Sequence, residues 1–432
     1  MEGLSETPNA TLESLSQKHV LSAAPGIHME EEYYSYFNSE VQLNEVTWNL
    51  GRYITSLSNL NFGSFSQITI PNQLLVSNLY LTLVLPAVLV NQTLCKSWGY
   101  GIIQSLSWLL GNSNVPIVTI QGPSVFMTIL GEAETSEKAN EIIAQSGQEQ
   151  IVPTGGNVYA NVLLPLPFSS ACALQAKKAY DSAMLNNTIQ LQIQFNNANS
   201  IYGGTNTSIP NSFIQAQIVA FQGEFFNKAN SLSIPLRQNL GLQYTFPFIH
   251  KQSAPVPQFT GSTSISSPVN ITLQSIINGD LVGIYFYVVQ TAYLTGTTGS
   301  SPSPFLADPI SNVTLTFNGN VMYQAPNVLC QLVDSKNIPG AFTYNTSLIT
   351  SLGGGGAPFL DTPQKCYITE LSFAKIRSLC SGSKMSNVWR IGNNTLVLSF
   401  NTSTSNQYVF QCMYCYNGVI ETSGGNSRIF FD

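Results

Sequence analysis

Residues Thr188–Phe195 read Thr-Ile-Gln-Leu-Gln-Ile-Gln-Phe. Successive side chains of an extended strand point to opposite faces. Ile189, Leu191, Ile193 and Phe195 therefore share one face, and Thr188, Gln190, Gln192 and Gln194 share the other. A helix would scatter these apolar positions around its axis, so the pattern specifies a half-buried strand of an antiparallel sheet. Val313, Leu315 and Phe317 alternate with Asn312, Thr314 and Thr316 in the same way. Ile214, Ala216, Ile218 and Ala220 do so less strictly, with Gln215, Gln217 and Val219 between them. Gln67–Ile70, Leu79–Leu85, Ile284–Val289, Thr395–Phe400 and Tyr408–Tyr416 are further β-rich segments. A chain with this many strands and turn signals is all-β, built as sandwiches or jelly rolls.

Helix signals are confined to two stretches. Residues 133–145, with Thr135 or Ser136 as N-cap, and the Ala- and Lys-containing Ser170–Leu185 are expected as helical insertions between strands. Polar, Gly-rich segments mark exposed loops at Gly203–Ser212, Thr295–Pro304 and Gly353–Pro358. A weak internal repeat orders the rest. Gly101–Asn112 and Ile310–Asn320 are both apolar strands ending in a Gly/Asn turn, with Gly319 208 positions after Gly111. Each follows a strongly apolar segment, Leu79–Leu85 or Ile284–Val289. The 432 residues thus divide into an arm (1–37), a first sandwich (38–228) and a second (229–432), with the junction near 227–236. The arm carries Glu30, Glu31 and Glu32 followed by the aromatic Tyr33–Phe37, a segment that reads equally as packing on a neighbour or inner layer and as a frayed terminus.

Charge narrows the function classes. Only 9% of residues are Asp, Glu, Lys or Arg, against about 25% in ordinary domains. Hydrophobic residues still make up 44%, so the chain folds, with Asn, Gln, Ser and Thr supplying its polarity. An uncharged surface of that kind suits close packing against copies of itself. The formal net charge of -6 leaves no broad basic face for phosphates, which argues against direct sequence-specific nucleic-acid binding. Met1–Thr7 is polar and acidic, unlike a secretory signal peptide. The longest apolar stretch, Leu79–Val90, falls short of the about 20 residues of a membrane-spanning helix. Seven cysteines, an odd number, point to reduced thiols. Nine Asn-X-Ser/Thr triplets occur, close to chance for this composition; Asn206 and Asn345 are the candidates for glycosylation.

Several segments resemble the double jelly-roll major capsid proteins of the adenovirus and large DNA virus lineage, including virophages and polinton-like relatives. Leu164-Pro165-Leu166-Pro167-Phe168 is similar to a Leu-Pro-X-Pro-Phe segment of the first barrel. Gly101–Asn112 resembles its apolar strand and glycine turn, with Gly111-Asn112 where Gly-Gly is usual. Leu281–Gln290 looks like the strand ending in Val-Val-Gln, and Asn312–Gly319 like the strand and Asn318-Gly319 turn that follow. Near the carboxyl end, Phe373-Ala374, Ser381-Gly382, Asn387 and Arg390-Ile391 occur in the family's order. Tyr416-Asn417, within Tyr414–Ile420, and Ser423-Gly424 then complete it. The resemblance implies two tandem eight-stranded jelly rolls with short helical insertions in loops, and a homotrimer serving as a pseudo-hexameric capsomer of an icosahedral shell. It implies as partners neighbouring capsomers, minor capsid or penton proteins and, through the arm, an internal membrane. It also implies a location in the virion capsid after synthesis in the host cytoplasm.

Catalytic chemistry is poorly supplied. His19, His28 and His250 are scattered, and no Walker-type motif follows the Gly353–Gly356 run. Cys412 and Cys415 have Cys-X-X-Cys spacing, but residues three apart on a strand face opposite ways. They are expected to be structural rather than a zinc or redox pair. Whether Cys366 and Cys380 meet across a loop is open from spacing. The expectation is a structural protein without enzyme activity, cofactor or metal. A secreted β-sandwich adhesin or carbohydrate-binding protein is the alternative, and a sandwich hydrolase is disfavoured by the 22 Asp and Glu.

Overall fold

The computed structural model describes residues 48–70, 75–111, 116–122, 125–126, 129, 136–147, 155–166, 169–170, 180–181, 188–225, 244–253, 257–273, 281–294, 302, 304–305, 307–326, 335–342, 364–372, 395–423 and 426–431. The arm, residues 1–37, lies outside them. Eight strands form the first unit: β1 (Trp48–Ser56), β2 (Phe65–Ile70), β3 (Leu75–Leu85), β4 (Ile103–Leu110), β5 (Val118–Gln121), β6 (Val158–Leu164), β7 (Ile189–Phe195) and β8 (Gln215–Phe225). They pair antiparallel in two sheets, ordered β1-β8-β3-β6 and β2-β7-β4-β5. Eight more form the second: β9 (Tyr244–Ser253), β10 (Val269–Leu273), β11 (Leu281–Gln290), β12 (Ile310–Phe317), β13 (Asn320–Ala325), β14 (Gln364–Ser372), β15 (Leu396–Thr402) and β16 (Gln407–Ser423). Their sheets run β9-β16-β11-β14 and β10-β15-β12-β13, the same order shifted by eight, the first extended by further strands such as Ser335–Phe342 on β14 and Asn426–Phe431 on β16. Chain passing between facing sheets in this order is a jelly roll. The protein is a double jelly roll.

Alternation accounts for the cores. In β7, Ile189, Leu191, Ile193 and Phe195 are fully buried while the intervening glutamines are half-exposed. Those glutamines form side-chain bonds along the outer face: Gln67 Nε2 donates to Gln190 Oε1 at 2.5 Å, and Gln192 Nε2 to Gln67 Oε1 at 3.0 Å. The first core also holds Trp108, Leu81, Leu83 and Val162. The second is more aromatic, with Phe259 stacked on Tyr408 (5.6 Å) and edge-on to Phe400 (5.7 Å). Such ring pairs add to the area they bury.

The repeat is real but displaced by one residue from its sequence alignment. Leu110 pairs with Ile189 and Phe317 with Leu396, so Gly111 corresponds to Asn318 rather than to Gly319. The backbone agrees: Gly111 N–H donates to Thr188 O (2.7 Å) and Asn318 N–H to Thr395 O (2.8 Å). Gly111 has φ 63°, and Asn318 and Gly319 have φ 49° and 82°. These left-handed conformations favour Gly and Asn, which is why glycine drew the eye one position too far.

Among the described residues, the first unit holds the helices α1 (Trp98–Gly101), wholly buried, and α2 (Ser136–Gln145), the latter within the expected 133–145, and Gly122, Val125, Phe126 and Ile129 are helical too. Ser170–Leu185 is not one helix. Ser169–Ser170 is extended and pairs with Phe248–Ile249, and Tyr180–Asp181 pairs with Leu75–Val76. Backbone bonds to open sheet edges outweigh the weak helical preference of Ala and Lys there. Gly203–Ser212 is an exposed loop that begins in a short strand pair. Tyr202–Gly204 pairs with Gln92–Leu94, and Thr205 and Asn206 N–H both donate to Asn91 O at 2.9 Å. Leu79–Val90 is the end of β3 followed by a loop. The 228/229 boundary falls between β8 and β9, outside the described residues, as do Thr295–Ser301 and Gly353–Pro358. No described helix is long and apolar enough to cross a membrane.

The alternation makes a two-sided test. Leu191→Ala should cost about 2–5 kcal/mol of stability by urea denaturation, because it opens a cavity in a filled core. Gln190→Ala, one residue away on the outer face, should change it by about 0.5 kcal/mol or less.

Candidate functional site

The seam between the two jelly rolls is the most heavily built interface of the molecule. In the β9-β16-β11-β14 sheet, Ile284, Phe286, Val288, Phe410, Cys412 and Tyr414 face the second core. Tyr287, Val289, Val409, Met413 and Cys415 face the other way, yet they are at most 5% exposed and belong to the cluster of the first barrel. Phe305 and Ala307, beside Val289, join them. The opposing wall comes from Tyr100 in α1 and from Val125, Phe126 and Ile129 in the β5–β6 connection. Phe126 bridges the halves, its ring 5.1 Å from Tyr100 and 4.2 Å from Phe305. A Cβ on Gly101 would come within 3.0 Å of Ile201 and 3.9 Å of Phe305, so glycine permits the close approach.

A sheet covered on both faces cannot alternate polar and apolar residues. Ile284–Val289 shows that signal, being apolar or aromatic at every position. Cys412 and Cys415 face opposite ways as expected: one points into the second core and one into the seam, both buried and neither in a disulfide. Burial, with Cys415 close by, raises the Cys412 thiol well above its usual pKa. Burial likewise raises the phenols of Tyr100 and Tyr202, although Leu163 O accepts a 3.0 Å bond from the Tyr100 hydroxyl. A thiol that resists ionisation is a poor nucleophile and metal ligand.

At one end of the second barrel, Asp308 Oδ2 accepts from the Tyr408 hydroxyl (2.6 Å), Gln290 Nε2 (2.8 Å) and Ser403 Oγ (3.2 Å). Asn406 Nδ2 donates to Gln290 Oε1 at 2.9 Å. The network ties together the ends of β11 and β16 and the loop after β15. Burial first, then the bond to Asp308, raises the Tyr408 phenol. Among the described residues no three His, Cys, Asp or Glu cluster as a metal site. His250 lies within β9 opposite Tyr416; His19 and His28 are outside the described residues.

The residues singled out by resemblance separate. Gly111, Asn318 and Gly319 occupy equivalent turns, as described. Pro165 is buried directly after β6, and Asn417 sits in β16 opposite Ile249. Pro167, Phe168, Ser381, Gly382, Asn387 and Arg390 lie outside the described residues, as do Cys380 and Asn345. Asn206 donates through Nδ2 to Val90 O at 2.8 Å and accepts from Ser208 N–H at 2.9 Å, so the nitrogen that would carry a sugar is engaged. Sequence reasoning missed the seam residues, for which the unbroken apolar run of β11 was the available signal.

No family model and no curated protein matches the chain. Solved structures do. VP54 of the virus PBCV-1, in a crystal structure fitted into a reconstruction of the virophage Sputnik, is similar at a TM-score of 0.59 and 9% identity. That match covers 89% of this chain and 98% of the other. A chain of the PBCV-1 virus capsid gives 0.58 and 11% over the same shares. The mavirus major capsid protein gives 0.51 and 11%, over 88% of this chain and 90% of its own. At this identity the shared property is the fold: the double jelly roll found in those capsid structures.

Phe126→Ala and Phe305→Ala should each destabilise by about 3–5 kcal/mol. The double variant should fall short of the sum, with a coupling of about 0.5–1.5 kcal/mol in a denaturation cycle. Stability should hold up to about pH 9 and fall above it. The unfolded chain releases the protons of Cys412, Tyr100 and Tyr202 at ordinary pKa values, while the folded chain retains them. Unfolding midpoints at about pH 8 and 10.5 check the sign, and brief alkylation with peptide mapping should leave native Cys412 unlabelled.

Proposed function

We propose that the protein is a structural capsid subunit, not an enzyme, and that three chains form a pseudo-hexameric capsomer of an icosahedral double-stranded-DNA virus shell. The observation that carries this is the repeat: two jelly rolls of the same strand order in one chain, joined through a buried seam. Three such chains about a threefold axis present six similar lobes, so one polypeptide fills sixfold lattice positions with closed symmetry. The similar structures named above include a virus capsid chain and a major capsid protein, which supports the same reading.

The surface suits the role. The outer face of the β2-β7-β4-β5 sheet carries Gln67, Gln190, Gln192, Ser107 and Thr119, and that of the β10-β15-β12-β13 sheet carries Asn270, Ser399, Thr314 and Gln324. Amide and hydroxyl faces associate through shape and hydrogen bonding, with little dependence on salt. In this reading the subunit is made in the host cytoplasm and resides in the virion capsid. The two domains are 38–228 and 229–432, and the arm at 1–37 faces minor capsid or penton proteins or an internal membrane. No cofactor is required, and the genome is not read by sequence.

Light scattering on the purified chain tests the proposal. The expected particle contains three chains of 46.9 kDa, appears pseudo-hexagonal in negative stain, and persists at high salt. A monomer at every concentration would remove the proposal's support and turn attention to glycan binding.

A further inference from the structure

Asn91 sits in a tight turn after β3. Gln92 N–H donates to Leu89 O at 3.2 Å, and Asn91, third in the turn, has φ 61°, a left-handed backbone that asparagine tolerates. The turn is pinned from the loop before β8, where Thr205 and Asn206 N–H both donate to Asn91 O at 2.9 Å. Asn91 is exposed and its Nδ2 donates to no described residue; Leu89 and Val90 beside it are 45% and 63% exposed. Asn91-Gln92-Thr93 is one of the Asn-X-Ser/Thr triplets of the chain. In the four other triplets whose asparagines are described, Nδ2 is engaged. Asn206 donates to Val90 O (2.8 Å), Asn270 to Pro268 O (3.4 Å), Asn312 to Asn401 Oδ1 (3.3 Å) and Asn401 to Ser264 O (2.7 Å).

The turn accounts for an asparagine at 91, but not for the threonine two residues on. Thr93 lies in the short strand Gln92–Leu94, where every residue is buried. Gln92 meets that burial with both ends of its amide, accepting from Leu89 N–H and donating to Ser208 O, each at 3.2 Å. Thr93 is 4% exposed, and its Oγ1 has no hydrogen-bond partner among the described residues. A buried hydroxyl without a hydrogen bond weakens folding, and valine would fill the same space without that penalty. The hydroxyl therefore serves something other than the folded state. In an Asn-X-Thr triplet it is the group that a glycosylating enzyme reads.

We propose that Asn91 is an N-glycosylation site, recognised through Thr93 before the strand Gln92–Leu94 is buried. Asn91 Nδ2 attacks the anomeric carbon of a sugar diphosphate whose carrier is a nucleoside or a lipid. The new C–N bond replaces the C–O bond to the diphosphate, which leaves with the electron pair, and one amide proton is lost to a base of the enzyme. The folded barrel accommodates the product because no described group holds that nitrogen, and the sugar lies beside the exposed Leu89 and Val90. At the other four asparagines a sugar would displace the bonds given above.

Peptide mapping by mass spectrometry on the chain from its native source is the test. The peptide containing Asn91 should be heavier by sugar residues, as one preassembled block if the carrier is a lipid and as single sugars if it is a nucleoside. Asn91→Gln and Thr93→Val should both abolish the added mass, and Thr93→Ser should keep it. A bare Asn91 in the native chain overturns the proposal, as does sugar on Asn206, Asn270, Asn312 or Asn401 in its place, or sugar that persists in Thr93→Val. The unmodified chain made in bacteria supplies a second measurement. There Thr93→Val should raise the urea midpoint; an unchanged or lowered midpoint, or a variant that does not fold, shows that the hydroxyl serves the fold and overturns its assignment to glycosylation.

Discussion

The two-sided burial of the β9-β16-β11-β14 sheet is the constraint on which the rest of the molecule depends. A sheet that packs its own core on one face and a second domain on the other has no face left for water. That fixes what Ile284–Val289 and Val409–Tyr416 can contain: hydrocarbon, aromatic rings and uncharged thiols, with Gln411 as the buried polar exception on the seam side. It also makes the two jelly rolls a single mechanical unit, because separating them would expose Tyr287, Val289, Phe305, Val409 and Met413 together. Burial of that size contributes about 25 cal/mol per Å² of apolar area removed from water, a driving force that needs no ion pair.

The scarcity of charge follows the same logic. A chain that buries one sheet twice, and offers neutral faces on others, has few positions where a Lys or Glu is compatible with both folding and packing. The solvent-facing work passes to glutamine, asparagine, serine and threonine, which bond to each other across strands, as Gln67 does with Gln190 and Gln192, or Asn270 with Ser399. The one described carboxylate inside a dense network, Asp308, is held by neutral donors rather than by a cation. Chemistry of the catalytic kind needs converging titratable groups, and the same composition withholds them.

How much was legible in the sequence varies by element. Strands with one wet face were plain: β7 follows its alternation residue by residue, and β12 does so from Asn312 to Thr316. The repeat was legible in order but one residue off in register, because a turn whose φ is positive at two successive residues, Asn318 and Gly319, aligns equally well either way in letters alone. Only the cross-strand partners, Leu110 with Ile189 and Phe317 with Leu396, resolve it. Ser170–Leu185 misled because local helical preference is worth tenths of a kcal/mol per residue, whereas edge pairing to β3 and β9 is decided by chain segments far away in sequence.

The sequence by itself determined the class of structure. Period-2 alternation, little charge and a twofold repeat leave few alternatives to a pair of neutral antiparallel sandwiches, since those properties are local and survive without knowledge of neighbours. The tertiary structure decided which sheet of each sandwich faces what. Nothing in the letters of β11 states that its outer face is sealed by Phe126 and its surroundings. That seal arises from how one barrel lies against the other, a contact between residues more than 150 positions apart such as Phe126 and Phe305, which no local pattern encodes.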